Sequence, residues 1–139
     1  MSGKTMPISP ELFYTALTAL FTGVIWVPII LNRLLEQGLW NTLKTPGPEV
    51  RATAAWAVRL AYAHRNAIEN LVVFAPLAII VHILQLGTAG TASAAAIYFA
   101  ARVAHAVVYA LGIPLARTMA FTAGFLCQVF LAGRILGWF

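Results

Sequence analysis

Charge is the scarcest commodity in this sequence: 9 Lys and Arg and 4 Asp and Glu among 139 residues, or 9%, against about 25% in soluble globular domains. So few ionic groups cannot cover a water-facing surface, which excludes an ordinary soluble domain. A single cysteine, Cys127 in "FLCQVFLAG", excludes an intrachain disulfide and reads as a small packing residue. It shares no metal-ligand spacing with His64, His82 or His105, so no metal site is expected. The basic residues are scattered rather than gathered in a tract, so the net charge of +5 does not point to nucleic acid. Gly-rich phosphate loops and nucleophile elbows are missing as well.

What the sequence has is apolar length. Hydrophobic residues make up 61% of the chain, and four segments reach the ~20 residues needed to cross a bilayer. The expected helices run over about 11–36, 49–86, 91–112 and 114–136 within a single domain spanning residues 1–139. Pro10 and Glu11 suit the start of the first, and Pro28 is expected to kink it. "EQGLWNTLKTPGPEV" (36–50) reads as the one long loop. Alanines crowd the third helix and allow close helix packing. Gly112 suits its C-terminal cap and Pro114 the first turn of the fourth helix. The chain is therefore read as an all-α membrane protein, a four-transmembrane-helix bundle.

Basic residues set the orientation. Arg33, Lys44, Arg51 and Arg59 surround the first loop and Arg117 adjoins the third, whereas the second loop has none. By the positive-inside rule the first and third loops are cytoplasmic and the termini lie on the far side. The compact chain and the lack of targeting signals lean towards a bacterial inner membrane.

Polar residues inside the spans are few and clustered. Tyr62, Arg65, Asn66 and Glu69 recur at helical spacing on the second helix, as do Arg102, His105 and Tyr109 on the third. Ionisable groups at membrane depth are costly and usually pair with one another. Glu69 is the only carboxylate well inside a span, so Arg65 or Arg102 is its expected partner, with Glu69–Arg102 read as a structural ion pair. Such a seam serves packing and function about equally well. The excess of arginine over carboxylate leaves room for an external anion: a carboxylate, a thiolate or a lipid phosphate.

Two stretches resemble the signature of the MAPEG family, the membrane-associated proteins in eicosanoid and glutathione metabolism. "AHRNAIENLVVFAPL" carries an RNxxE pattern, and "ARVAHAVVYALGIPLARTMAF" carries RxxHxxxY with an arginine downstream. The resemblance covers helices two to four and suggests a bacterial microsomal-glutathione-transferase-like member. It implies a homotrimer with active sites between neighbouring subunits near the cytoplasmic face. It also implies glutathione as co-substrate, with Arg65, Asn66, Glu69, His105 and Tyr109 as its ligands, and Arg33 adding a contact from helix one. Arg117 would then face the cysteinyl sulfur, and Thr118, where the family often has serine, would supply a second hydrogen bond to it.

The implied activity is that of a glutathione-dependent transferase or peroxidase acting on a small lipophilic substrate, an electrophile or a lipid hydroperoxide, that arrives through the membrane lipids. Tyr62, Phe121 and Phe125 replace an arginine, a tyrosine and a polar residue found in eicosanoid-type members, which argues against prostaglandin or leukotriene synthesis. They also keep an alternative open: a non-catalytic relative that binds a lipid or another anion at the same subunit interface.

Overall fold

The computed structural model describes residues 8–44 and 52–139. Four helices follow in order, α1 (Pro10–Leu43), α2 (Ala55–Ile83), α3 (Ala89–Leu111) and α4 (Pro114–Leu136), and each is long and apolar enough to cross a membrane. Each end has a local cause. The Ser9 hydroxyl accepts from the Leu12 N–H to start α1. Thr88 and Thr91 form a reciprocal capping box at the start of α3. Gly112 closes α3 in the left-handed region (φ 78°), where a side chain would be strained, and Pro114 starts α4 two residues later.

The first helix departs from expectation in two ways. Its backbone breaks at Gly38 (φ 76°, ψ 167°), ten residues past Pro28. Beyond Gly38 the chain resumes a helix to Leu43, so the segment read as a loop from residue 36 is helical over most of its first half. The Asn41 amide and the Thr42 hydroxyl bond back to the Gln37 and Gly38 carbonyls at 3.1 and 2.9 Å and help close that last turn. The second helix begins at Ala55 rather than residue 49; residues 49–51, Arg51 among them, lie outside the described residues.

Helix α2 has no side-chain cap of its own at Ala54. Glu36 supplies one from α1: its two carboxylate oxygens accept from the Thr53 and Ala54 N–H groups, each at 2.9 Å. Replacing Glu36 by Ala is expected to speed amide exchange at Thr53 and Ala54, measured by hydrogen–deuterium exchange; unchanged protection would show that the cap is dispensable.

Helices α2 and α3 form the centre. Helix α1 packs on one side against both, α4 packs on the other against both, and α1 and α4 do not touch among the described residues. The core is built from small and aromatic groups. Phe74 lies flat on Tyr98 (ring centroids 3.7 Å apart, planes 4° apart) among Ala78, Val81, Ala95 and Leu131. A second cluster joins Ile25, Ala63, Ala67 and Ala106. Alanine at these contacts lets backbones approach closely, which is how helices bind one another in lipid. The outer faces are greasy, with Leu20, Leu35, Val72, Leu126 and Leu136 exposed, while Thr18, Thr22, Asn70, Arg102 and Gln128 are buried. Polar groups inside and apolar groups outside suit a bilayer rather than water.

Candidate functional site

The loops α1–α2 and α3–α4 share one end of the bundle, and this end carries most of the polar chemistry. The Arg59 Nε–H, from the second turn of α2, donates to the Ala110 carbonyl at the end of α3 (2.8 Å). Arg117, one turn into α4, stacks its guanidinium on the Tyr109 ring 4.7 Å from the centroid. Arg59, Tyr109 and Arg117, with Gly112, Ile113 and Pro114, line a cavity of about 170 Å³. Arg117 has no hydrogen-bond acceptor among the described residues, so its planar fork of donors remains available.

The polar run of α2 divides between two faces. Arg65 and Glu69 point outward and pair with each other (Nε to Oε1 3.1 Å), their side chains 79% and 58% exposed. Tyr62 shares that outer face. Asn66 turns the other way: its Oδ1 accepts from Arg102 Nη1 (3.4 Å) and Asn70 Nδ2 (3.3 Å).

The expected Glu69–Arg102 ion pair is therefore not formed. Glu69 takes Arg65, four residues earlier on its own helix, while Arg102 is sealed in the core at 1% exposure. There the Arg102 guanidinium lies between Tyr98 and Phe121, its carbon 5.6 and 5.7 Å from the two ring centroids. It donates to Asn66 and, at 3.2 Å, to the Ala120 carbonyl. No carboxylate pairs with it among the described residues. Gly124 leaves it the space: a Cβ there would come within 2.6 Å of Nη2.

Other expected site residues fall in different places. His105 is buried, edge-on to Tyr109 at 5.5 Å and 6.4 Å from Phe121, so it braces Tyr109 from inside and opens onto no outer face. The Thr118 hydroxyl is exposed and donates to the Pro114 carbonyl of its own helix (3.1 Å). Arg33 touches none of the other expected residues, and its Nε is buried without a hydrogen bond. The structure thus joins Arg65 to Glu69, Asn66 to Arg102, and Tyr109 to both His105 and Arg117.

Arg59, Asn70, Gln128 and Gly124 were missed as parts of the site. Asn70 stands four residues after Asn66, and Gln128 is a lone amide in mid-span, so both carried a signal. Arg59 was read only for its loop charge, and nothing in the sequence marks Gly124.

The model of the MAPEG family, described by that name, matches residues 12–137, nearly the whole chain. No curated protein and no solved structure matches it.

Proposed function

Because the chain belongs to the MAPEG family, we propose that it is a membrane-embedded, glutathione-dependent transferase or peroxidase whose sites lie between the subunits of a homotrimer, towards the cytoplasmic side. The observation that carries this reading is the outer face of α2. Arg65 and Glu69 stand exposed there, Glu69 fourteen residues past Ala55, about 21 Å along the helix axis at 1.5 Å per residue. An ion pair at that depth does not face lipid without heavy cost. A neighbouring subunit covering α2 turns the face into the wall of an enclosed polar site.

The residues fit glutathione by charge and hydrogen-bonding type. Arg65 suits a carboxylate, Glu69 suits an ammonium or an amide N–H, and the Tyr109 hydroxyl and the Asn66 amide suit the peptide groups. Bound there, glutathione supplies a thiol whose thiolate form attacks an electrophilic carbon, forming the C–S bond as the leaving group departs, or the outer oxygen of a hydroperoxide, breaking the O–O bond to give an alcohol and a sulfenic acid that a second glutathione converts to the disulfide and water. Arg117 performs the activating step. A fixed cation that does not deprotonate favours the thiolate over the thiol, and the Tyr109 ring holds that cation in place. The lipophilic substrate arrives from the bilayer, where the outer faces of α1 and α4 are apolar.

Protein purified in detergent is expected to bind glutathione at millimolar concentration with the ultraviolet absorbance of a thiolate. No binding at that concentration would overturn the reading. A second reading draws on an apolar groove of about 360 Å³, lined by Phe21, Ile25, Pro28, Leu60 and Ala110. Ala110 in its lining gives its carbonyl to Arg59, and Arg59 lines the cavity shared with Arg117. The pair suits a non-catalytic relative that carries an anionic lipid. Anionic lipid retained through purification without any thiol, together with absent glutathione binding, would favour it.

A further inference from the structure

We infer that the end of the bundle away from Arg59 and Arg117 holds a second binding site, a cavity built on the Glu11 carboxylate that takes a primary ammonium group. This site has no part in thiol chemistry and stands whether or not glutathione binds at the other end.

The start of α1, the end of α2 and the α2–α3 loop meet at that end, where Ser9, Glu11, His82, Gln85 and Gly87 line a cavity of about 480 Å³. Glu11 is the one acidic residue in the lining. It is only 3% exposed, and Thr91 of α3 moors it by donating its hydroxyl to Oε1. Both carboxylate oxygens lie by Gly87, where a Cβ would stand 3.5 Å from Oε1 and 3.8 Å from Oε2. Gly87 is part of the cavity wall, so the carboxylate is turned towards that wall.

What Glu11 lacks is a cation. Among the described residues neither His82, on the same cavity, nor Arg134, which donates to the Leu86 carbonyl beside Gly87, forms an ion pair with it. The first turns of α1 and α3 favour negative charge there, but they offer partial charges and no counter-ion. A carboxylate withdrawn from water without a full positive partner is costly, and a bound cation removes that cost. The donor set decides which cation. Among the described residues no group of three or more His, Cys, Asp or Glu could hold a metal, whereas calcium takes about six to eight oxygens. A primary ammonium carries three N–H groups and needs few acceptors, and Glu11, Gln85 and Ser9 each bring an oxygen to the cavity.

Depth favours a lipid as the source of that group. Glu11 lies in the first turn of α1 and His82 in the last turn of α2, so the cavity sits where membrane helices leave the hydrocarbon, at the level of the headgroups. Ile83 in its wall, and Ile8 and Leu84 next in sequence to lining residues, are exposed and apolar. The ethanolamine headgroup of a phospholipid joins an ammonium to glycerol and acyl chains and so meets both surfaces; a free amine meets only the carboxylate.

The test is native mass spectrometry of the full-length protein in detergent without thiol, titrated with phosphatidylethanolamine and with phosphatidylcholine of the same acyl chains, while free ethanolamine is followed by saturation-transfer NMR. The protein is expected to hold phosphatidylethanolamine about tenfold more tightly than phosphatidylcholine, whose quaternary nitrogen has no N–H to give, the equivalent of one charged hydrogen bond. Glu11→Gln keeps an oxygen for the Thr91 hydroxyl but removes the charge, and is expected to erase the preference. Gly87→Leu places its Cβ at ordinary contact distance from the carboxylate and fills the cavity; it is expected to weaken phosphatidylethanolamine at an unchanged melting temperature, and it carries the test if Glu11→Gln fails to fold. The two lipids held alike, with ethanolamine bound by the wild-type protein and lost in Glu11→Gln, would assign the site to a free amine. A wild-type protein with neither the lipid preference nor ethanolamine binding, or a preference that survives either substitution, would overturn the site.

Discussion

Glutathione bound to the Arg117→Ala variant is expected to remain a thiol at neutral pH, and turnover is expected to fall by about 10²–10³-fold, the usual loss when one pre-placed group that stabilises negative charge is removed. The physical reason lies in the pairing of Arg117 with Tyr109. The ring holds the guanidinium at 4.7 Å, and it has no anionic partner among the described residues, so its charge is available to sulfur. Arg117→Lys keeps the charge but loses the planar stacking and the donor fork, and is expected to fall between the two.

The pH profile separates this role from a structural one. If Arg117 holds the thiolate, its loss moves the rising limb of the rate profile to higher pH, because more base is needed to reach the same thiolate fraction. The measurements are thiolate absorbance against pH and kcat with a chromogenic electrophile. An Arg117→Ala protein with native thiolate absorbance and an unshifted profile would sink the assignment.

The largest expected loss of stability comes from Phe74→Ala, at about 3–5 kcal/mol, the range for emptying a buried aromatic position. Phe74 is fully buried and stacked on Tyr98, itself fully buried, at the meeting of α2, α3 and α4. Lipid tails are as apolar as the removed ring, so the loss is one of packing contacts rather than of water exclusion. It also reaches the polar cluster: Tyr98 is one of the two rings beside the Arg102 guanidinium, which donates to Asn66. Titration from mild detergent into sodium dodecyl sulfate, followed by circular dichroism, measures the change. Phe13→Ala, on an exposed position, is the control and is expected to change little. A loss below about 1 kcal/mol for Phe74→Ala would mean that the core repacks around the gap.

Much of the architecture could be read from the chain alone because bilayer thickness imposes a length rule that composition obeys directly. Four apolar runs separated by Gly and Pro leave few alternatives, and the structure has four membrane-length helices where they were expected. The site was harder for a geometric reason. Arg65 and Asn66 are adjacent in sequence, yet one residue turns a helix by about 100°, so a compact polar cluster on paper becomes two opposed faces in space. Arg65 and Glu69 look out; Asn66 and Asn70 look in. With no way to tell which face is buried, Arg102 was an equal candidate partner for Glu69, and only packing decided for Arg65. Gly38 and Pro28 posed a similar difficulty. Both break helices by propensity, but the break falls at the glycine, whose backbone at positive φ a proline cannot adopt.

Two carboxylates, Glu11 and Glu36, act together on α1. Near its start, Glu11 takes the Thr91 hydroxyl at the head of α3; towards its other end, Glu36 takes the first amides of α2. The helix is moored at both ends and has no neighbour among the described residues on its α4 side. Between those two ends Ile25 packs against Ala63, Ala67 and Ala106 while Val24 and Pro28 line the apolar groove. The groove therefore opens midway along a helix whose two ends are each held by a carboxylate hydrogen bond.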